Sequence, residues 1–197
     1  SFPTRRSSDL LKKLNIKDEY NIKLVGISST LATNSVAEGK ARKVGLLLIG
    51  YDRELIEQYG LTEKLSTRDI SYFKGGHDAQ GNEAAPLDEE GIREWIKEKE
   101  AEIDAVAVSS YFSPLNPEHE EKAFEIIRNQ TDLPVVMANQ LSTKLNSIKR
   151  AATAAINASL VAVMQDFIQA VQNSLQELGI QAPLMIVRGD GTMMPYT

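Results

Sequence analysis

The sequence predicts an α/β fold with a mainly parallel sheet, helices on its faces and a long helix towards its C-terminal end. Apolar runs of strand length alternate at least four times with stretches of helical spacing, which is the order expected of strand–helix–strand units. One run, KVGLLLIG, is too apolar to alternate, as expected of a strand that is covered on both faces. With 197 residues, 42% of them hydrophobic, the chain can bury a sizeable core.

Composition excludes several classes of function. The net charge is −5, and no Lys/Arg stripe is interleaved with aromatic residues, so nucleic acid is not a predicted partner. No apolar run approaches the ~20 residues that span a bilayer, and the basic N-terminus lacks an apolar signal-type stretch. The absence of cysteine from the sequence excludes disulfides and thiolate metal sites. The sequence therefore predicts a cytoplasmic protein that binds neither nucleic acid nor membrane.

The first half of the chain is predicted to contain two buried strands and short helices. In chain order the predictions are the last turns of a helix at 10–14, a strand at 22–28, a short helix between 29 and 39, a strand at 43–50 and a helix at 52–60. Residues 69–90 differ in character, because Gly-Gly, Gln-Gly-Asn and Pro signals follow one another closely. These signals favour a surface hairpin over another strand–helix unit.

Regular alternation resumes in the second half. The predictions are a helix at 87–102 with Asp88 as N-cap, a strand at 103–110, a helix at 116–130 with Asn116 as cap and Pro117 at its first position, a strand at 133–139, a long helix at 144–178 and a strand at 183–187. The alanine-rich segment RAATAAINASLVAVM of the long helix is interpreted as a closely packed helix face rather than a partner site.

The polar segment GISSTLATN follows the first predicted strand. Its hydroxyl and amide side chains would line a strand-to-helix turn whose free backbone N–H groups can hold a phosphate or a carboxylate. Ordinary helix capping with surplus hydroxyls explains the same residues equally well. The spacing leaves both interpretations open.

Three other features are weaker candidates for chemistry. His77 lies in the glycine-rich KGGHDAQG segment and is interpreted as a solvated loop histidine. His119 lies in the first turn of a predicted helix, and a structural role there is the favoured interpretation. A functional role stays open, because the segment before this helix follows a strand, where α/β sheets bind ligands. The RGDG segment at 188–191 is interpreted mainly as a turn and only secondarily as a binding site. The sequence contains no P-loop, GxGxxG, GxSxG or HExxH motif.

The order of motifs carries a resemblance. The segments GISSTLATNSVAEGKARKVGLLLIGYD, GGHDAQGNEAAPLDEE and VAVSSYFSPLNPEHEEKAFEII resemble, in this order, the N-terminal region of the hydantoinase/oxoprolinase family. The long helix followed by APLMIVRGDGTMM resembles the passage of that family into its second domain. The resemblance covers about residues 20–194.

The resemblance implies an enzyme of the actin-like ATPase superfamily, built from ribonuclease H-like halves that hold MgATP between them. Such an enzyme uses ATP to activate a cyclic amide, such as hydantoin or 5-oxoproline, for ring opening. Two alternatives stay open: a ketone-activating subunit of the acetone-carboxylase type, and a non-catalytic, nucleotide-dependent regulator of the same superfamily. The implied partners are a cyclic amide or ketone and either a partner subunit or a second copy of the chain.

The resemblance also assigns site residues by their positions in its motifs. The residues implied to line the active cleft are Ser29, Thr30, Thr33 and Asn34, with Gly189, Asp190 and Gly191 as secondary candidates for cofactor binding and His119 as the candidate catalytic residue. No metal-ligand set is predicted. The Asp-x-Gly-Gly-Thr segment with which the family holds ATP phosphates does not occur in this sequence, so this chain alone is not expected to bind MgATP tightly.

The resemblance suggests a division of the chain into three parts. Residues 1–10, SFPTRRSSDL, resemble the in-frame translation of a sequencing-library adapter and are interpreted as an artefact. Residues 11–140 are interpreted as a partial N-terminal domain, and residues 141–197 as the long helix and the truncated start of a second domain. On this interpretation the chain is a fragment of a longer enzyme and is inactive by itself.

Overall fold

A computed structural model of the protein describes residues 22–28, 42–58, 60, 62–187 and 191–195. The helices predicted at 10–14 and between 29 and 39 lie outside these ranges. The strands are β1 (Val25–Ile27), β2 (Val44–Ile49), β3 (Asp69–Phe73), β4 (Ala105–Ser110), β5 (Val135–Met137), β6 (Leu184–Val187) and β7 (Met193–Pro195). The helices are α1 (Arg53–Gln58), α2 (Glu89–Lys99), α3 (Glu118–Arg128), α4 (Ala138–Leu141) and α5 (Ser147–Glu177), with a 3-10 helix at Thr62–Leu65.

The chain divides into two compact units. Residues 41–162 form one unit, and the described residues on either side of that range belong to the other. The division falls inside α5, between Ala162 and Val163, whereas the pattern of the sequence changes near residues 140–145. The assignment of 141–197 to the start of a second family domain stays a prediction.

A four-stranded parallel sheet forms the centre of the 41–162 unit. Its strand order is β3-β2-β4-β5, and every neighbouring pair is parallel. Both central strands, β2 and β4, are buried at every residue, as the apolar run of β2 predicted. Because successive side chains of a strand point to opposite faces, Leu46 and Leu48 pack in one core layer and Leu47 and Ile49 in the other.

Helices cover both faces of this sheet. Helices α2 and α3 pack on the face of Leu47 and Ile49, through Ile92, Ile96 and Ile127 among others. Asp88 caps α2 as predicted, since its carboxylate accepts a hydrogen bond from the backbone N–H of Gly91 at 3.0 Å. The N-cap position of α3 is Pro117 and not Asn116, but the Asn116 side chain still accepts from the N–H of Glu118 at 3.0 Å.

The first half of α5 covers the other face through a row of alanines. The buried members of this row are Ala151, Ala154, Ala155, Ala158 and Ala162. Small side chains let the helix approach the sheet closely, which confirms the interpretation of the alanine-rich segment as a packed face. Helix α5 is also long and apolar enough to cross a membrane. The core helix of a soluble protein meets the same criteria of length and composition.

The hairpin predicted for residues 69–90 is confirmed at residues 77–83 and is wrong for residues 69–73. Residues 77–83 do form a tight hairpin, with an antiparallel bridge between His77 and Glu83. Asp69–Phe73, however, is the parallel edge strand β3, paired with residues Gly45–Ile49 of β2. Its five residues are only partly buried, so it lacks the continuous apolar run that identified the central strands.

The described residues of the second unit contain a three-stranded sheet and the end of α5. Strand β1 pairs in parallel with β6, and β7 runs antiparallel to β6. A small core of Val171, Leu175 and Ile180 packs with side chains of β1 and β6. The strands predicted at 22–28 and 183–187 are therefore confirmed.

Candidate functional site

The carboxyl ends of β2, β3, β4 and β5 lie at one edge of the parallel sheet, where α/β proteins place their ligands. Within the described ranges, all of the buried polar side chains except Ser159 and Ser174 lie at or beside this edge. We call this set the carboxyl-edge cluster, and its members are His77, Ser109, Ser110, Ser113, His119, Glu120 and Arg150. They come from one strand, two loops and two helices that are far apart in the sequence.

Glu120 ties the ends of two strands together from the first turn of α3. Its carboxylate is fully buried and accepts hydrogen bonds from the backbone N–H of Ser110 at 2.7 Å and of Asn139 at 2.8 Å. Burial raises the pKa of this carboxyl, and hydrogen bonds from Ser113, Ser110 and Asn139 oppose the rise. Glu120 therefore fixes the last residue of β4 and the start of α4, the helix that follows β5.

Arg150, in the first turn of α5, also contacts the end of β4. Its guanidinium is buried and donates to the carbonyl oxygen of Lys144 at 2.8 Å and to that of Ser110 at 3.1 Å. A longer contact of 3.5 Å reaches Ser113 Oγ. The positive charge of Arg150 also lowers the pKa of the Glu120 carboxyl, against the effect of burial.

Tyr51 joins the start of α5 to the end of β4. Its hydroxyl donates to the carbonyl oxygen of Ser147 at 3.1 Å and lies 2.8 Å from Ser109 Oγ, which then donates to it. Burial raises the pKa of Tyr51 to about 12. Its ring meets the partly exposed ring of Tyr111 edge to face, with centroids 5.3 Å apart.

His119 lies in the cluster with both ring nitrogens in use. Its Nδ1 accepts a hydrogen bond from the backbone N–H of Gly76 at 2.8 Å, so the proton of the neutral ring is on Nε2, 3.2 Å from Glu83 Oε1. His119 thus holds the loop after β3 against α3. The structure brings this candidate to the site, but neither nitrogen is free to meet a substrate in this arrangement.

His77 is buried, so its interpretation as a solvated loop histidine was wrong. Only 3% of the residue is exposed, its ring centroid is 4.4 Å from that of His119, and neither ring nitrogen has a hydrogen-bond partner within the described ranges. Burial lowers the pKa of His77, and the neighbouring His119 lowers it further.

A close backbone crossing explains why the hairpin of His77 turns inward. Gly50 has a φ of +73°, and a Cβ there would lie 2.6 Å from the carbonyl oxygen of Gly75. Only glycines let the ends of β2 and β3 approach this closely. The Gly-Gly pair that indicated a surface loop in the sequence is therefore part of the packed edge.

Most of the other predicted site residues lie outside the described ranges. These are Ser29, Thr30, Thr33, Asn34, Gly189 and Asp190, whose assignment stays a prediction. Gly191 is described, in an exposed turn before β7 with a φ of +82°, and no described atom lies within 4 Å of the place where a Cβ would lie. Within the described ranges, no group of three or more His, Asp or Glu side chains is arranged to hold a metal ion.

Sequence reasoning missed Tyr51, Ser110, Ser113, Asn139 and Arg150. One signal was available, since the serine pair of VAVSS ends an apolar run at the carboxyl end of a predicted strand. Arg150 is the other, as a charged residue that begins the alanine-rich face of α5. Neither signal indicates which residues these side chains contact in the folded protein.

The family comparison matches most of the chain. A family model described as "Hydantoinase/oxoprolinase N-terminal region" matches residues 4–131. The chain is 29% identical over 184 residues to caprolactamase subunit alpha of Pseudomonas jessenii, a match that covers 85% of this chain and 26% of that protein. It is 26% identical over 198 residues to the acetophenone carboxylase gamma subunit of Aromatoleum aromaticum, covering 86% of this chain and 27% of that subunit. The chain thus spans about a quarter of the length of these curated relatives.

A solved structure shares the fold. The crystal structure of ATP-dependent caprolactamase from Pseudomonas jessenii superposes with a TM-score of 0.71 and 24% sequence identity. The superposition covers 99% of this chain and 32% of the solved chain. This likeness shows that the α/β architecture, with its parallel sheet and long helix, is that of an enzyme chain about three times as long.

Proposed function

Because the chain belongs to the hydantoinase/oxoprolinase family, through the N-terminal region of that family, we propose that it is part of an ATP-dependent enzyme that opens a cyclic amide. The match across residues 4–131 carries the proposal. The similarity to a caprolactamase subunit favours a lactam-like ring as the substrate. The chain would supply the N-terminal region of a longer protein, because its relatives are about four times as long.

The proposed reaction needs an activation step because an amide is a poor electrophile. MgATP would supply it by phosphorylating the amide oxygen, which turns that oxygen into a leaving group. Addition of one water molecule and cleavage of the ring C–N bond would then give an acyl phosphate, and a second water molecule would hydrolyse it to the amino acid and phosphate, with ADP left from the first step. The part of the chain that the structure describes contains no phosphate-binding loop, so we assign no step to its residues through the nucleotide.

For the cofactor we retain the residues that the resemblance assigns. Ser29, Thr30, Thr33 and Asn34 are proposed to line the cleft, and the turn at 189–191 is a secondary candidate. Gly191 has a positive φ and no described atom within 4 Å of the place where a Cβ would lie, which fits a turn that a phosphate can approach. MgATP would be held mainly by segments that this chain does not contain.

The test begins with the source DNA. The reading frame is followed outward in both directions, and the protein that it encodes is expressed together with the protein encoded beside it. We expect release of phosphate from ATP that depends on ε-caprolactam, 5-oxoproline or hydantoin, with the matching amino acid as product. Asn34→Ala should abolish this release, whereas Asn173→Ala, an exposed asparagine of α5, should not. Phosphate release that ignores every cyclic amide would contradict the proposal.

The second candidate is a ketone-activating carboxylase subunit, which the similarity to the acetophenone carboxylase gamma subunit favours. This candidate predicts phosphate release that depends on a ketone and on bicarbonate. Since both relatives are named as subunits, either function would require a partner subunit. A non-catalytic regulator would bind the nucleotide without product, and a cytoplasmic location stays a prediction for all three.

A further inference from the structure

The sequence contains two histidines, and the fold packs them against each other. The ring centroids of His77 and His119 are 4.4 Å apart, and only 3% and 1% of the two residues are exposed. We call these two residues the histidine pair. Histidine is the side chain whose ordinary pKa lies nearest to neutral pH. A change of pH around neutrality therefore acts on this protein first through the histidine pair.

The hairpin at residues 77–83 begins at one member of the pair and holds its own shape. The backbone N–H of Asp78 donates to the carbonyl oxygen of Asn82 at 2.9 Å, and that of Gly81 donates to the carbonyl oxygen of Asp78 at 3.0 Å. The Asp78 carboxylate also accepts from the N–H groups of Gln80 and Asn82, at 2.9 Å each. Because these bonds lie within the hairpin, it can move away from its surroundings as one unit.

The other member of the pair attaches the hairpin to α3. The N–H of Gly76, beside the hairpin, donates to His119 Nδ1 at 2.8 Å, and Glu83 Oε1 lies 3.2 Å from His119 Nε2. Further hydrogen bonds connect the hairpin with the loop before α3, from the N–H of His77 to the Tyr111 carbonyl oxygen at 3.4 Å and from the Asn116 side-chain amide to the Gly81 carbonyl oxygen at 3.1 Å. The bond from Gly76 is the shortest of these, so His119 is the main point of attachment.

A proton added to His119 breaks this attachment. The proton goes to Nδ1, because Nε2 of the neutral ring already carries one. Two N–H groups would then face each other where a donor now meets an acceptor at 2.8 Å. The carboxylate of Glu83 gains little from the new charge, because its side chain is 54% exposed and water screens the ion pair. Uptake of the proton therefore favours release of the hairpin.

His77 gains no partner from a proton while the hairpin is closed. Neither of its ring nitrogens has a hydrogen-bond partner within the described ranges, so an added N–H would stay buried and unpaired. Burial lowers the pKa of His77, the neighbouring His119 lowers it further, and nearby carboxylates oppose the shift. The charged side chains around the pair, on the hairpin and on α3, are Asp78, Glu83, Glu118 and Lys122. Lys122 binds Glu118 at 2.7 Å, which offsets the charge of that carboxylate. The closed hairpin therefore favours neutral His77.

We propose that the hairpin at 77–83 is an acid-released cover of the carboxyl edge, closed while the histidine pair is neutral and opened when the pair takes up protons. In the open hairpin the rings meet water, where a histidine takes up its proton near pH ~6.5. The open form then binds protons more readily than the closed form, so its population grows as pH falls below that value. Release also takes Gly76 and Glu83 away from His119, which frees both nitrogens of that ring for a ligand. The cover does not rest on the proposed function, because it follows from hydrogen bonds within this chain.

Hydrogen exchange of backbone amides tests the cover. The 197-residue chain is followed by NMR from slightly alkaline to mildly acidic pH, and each exchange rate is divided by the intrinsic rate of that amide, which gives its opening constant. The reporters are Gly76 and Ala84, whose N–H groups bond His119 Nδ1 and the Gly76 carbonyl oxygen, and the reference is Val108 in the buried strand β4. Below pH ~6.5 we expect the opening constants of the reporters to rise about three- to fivefold per pH unit, the effect of one proton. They should also stay at least about tenfold above that of Val108.

Two results would overturn the proposal. Equal opening constants for the reporters and for Val108 would mean that the hairpin opens only when the whole unit unfolds. Opening constants of the reporters that do not change with pH would mean that the histidine pair does not control the hairpin. The fluorescence of Trp95, the only tryptophan of the chain, shows at each pH that the core is still folded.

Matched variants separate the histidine pair from the other attachments. A double variant with His77→Phe and His119→Asn keeps a ring at position 77 and offers an amide oxygen to the N–H of Gly76, but neither new side chain takes up a proton. Its opening constants should not depend on pH in this range. Asn116→Ala removes the bond to Gly81 and leaves the pair unchanged, so the opening constants should rise about fivefold at every pH. A double variant that keeps the pH dependence of the parent would overturn the proposal.

Discussion

The carboxylate of Glu120 accepts a hydrogen bond from the backbone N–H of Ser110 at 2.7 Å, across the junction between a helix and the end of a parallel strand. The second oxygen of the same carboxylate accepts from the backbone N–H of Asn139, in the helix α4 that follows the neighbouring strand β5. One buried acid thus holds the end of β4 and the start of α4 together at the edge where α/β folds bind their ligands. The following predictions test this edge and its neighbours.

Glu120→Gln should destabilise the protein strongly. The amide nitrogen of glutamine cannot accept from a backbone N–H, so one of the two buried N–H groups would lose its partner. A buried donor left without a partner costs about 1–3 kcal/mol, which urea denaturation at neutral pH would measure. Glu121→Gln makes the same change at the next residue, which is exposed, and should stay within about 0.5 kcal/mol of the parent. Equal effects of the two variants would contradict the positioning role of Glu120.

Ionisation of Tyr51 should lower the free energy of unfolding at alkaline pH. Its pKa of about 12 in the folded protein exceeds the value of ~10 in an unfolded chain, so the folded state holds the proton more tightly. Stability is therefore complete below about pH 10 and falls as pH rises towards 12. Thermal unfolding between these values should show a loss that Tyr51→Phe removes. A wild-type curve parallel to that of the variant would refute the prediction.

Protonation of His77 should lower the free energy of unfolding at acidic pH. Burial and the neighbouring His119 lower its pKa, while Glu118, Glu83 and Asp78 act in the opposite direction. The unfolded chain then binds the proton more readily, so stability is present above about pH 6.5 and is lost as pH falls below that value. Replacing His77 with Phe should flatten this part of the curve in urea denaturation between neutral and mildly acidic pH. Identical slopes for the two proteins would show that His77 is not the group responsible.

Alanine variants of two glycines distinguish the cost of a left-handed backbone from the cost of a steric clash. Gly50 and Gly60 both have a positive φ, of +73° and +59°, but only Gly50 faces another backbone. Gly60→Ala should cost about 1–2 kcal/mol for the left-handed conformation. Gly50→Ala should cost a further ~1–3 kcal/mol, because its Cβ would meet the Gly75 carbonyl oxygen. Denaturant midpoints for the two variants measure the difference, and equal losses would mean that the crossing of β2 and β3 can relax.

The sequence by itself determined the architecture, because the signals involved are local. Apolar runs predicted the central strands β2 and β4, Asp88 marked the start of α2, and the alanine row of α5 predicted a packed helix face. Each of these follows from residues within a few positions of one another, where period and capping act directly. Motif order predicted the family for the same reason, since the spacing of segments is a property of the chain alone.

Tertiary structure decided the composition of the site. Arg150 meets Ser110 across 40 positions of sequence, and His119 meets Gly76 across 43. No local period links such residues, and the parallel sheet alone brings the ends of its strands to one edge. His77 was misjudged because glycine-rich composition indicates a surface loop, whereas the missing side chains of Gly50 and Gly75 let the backbones cross and bury it.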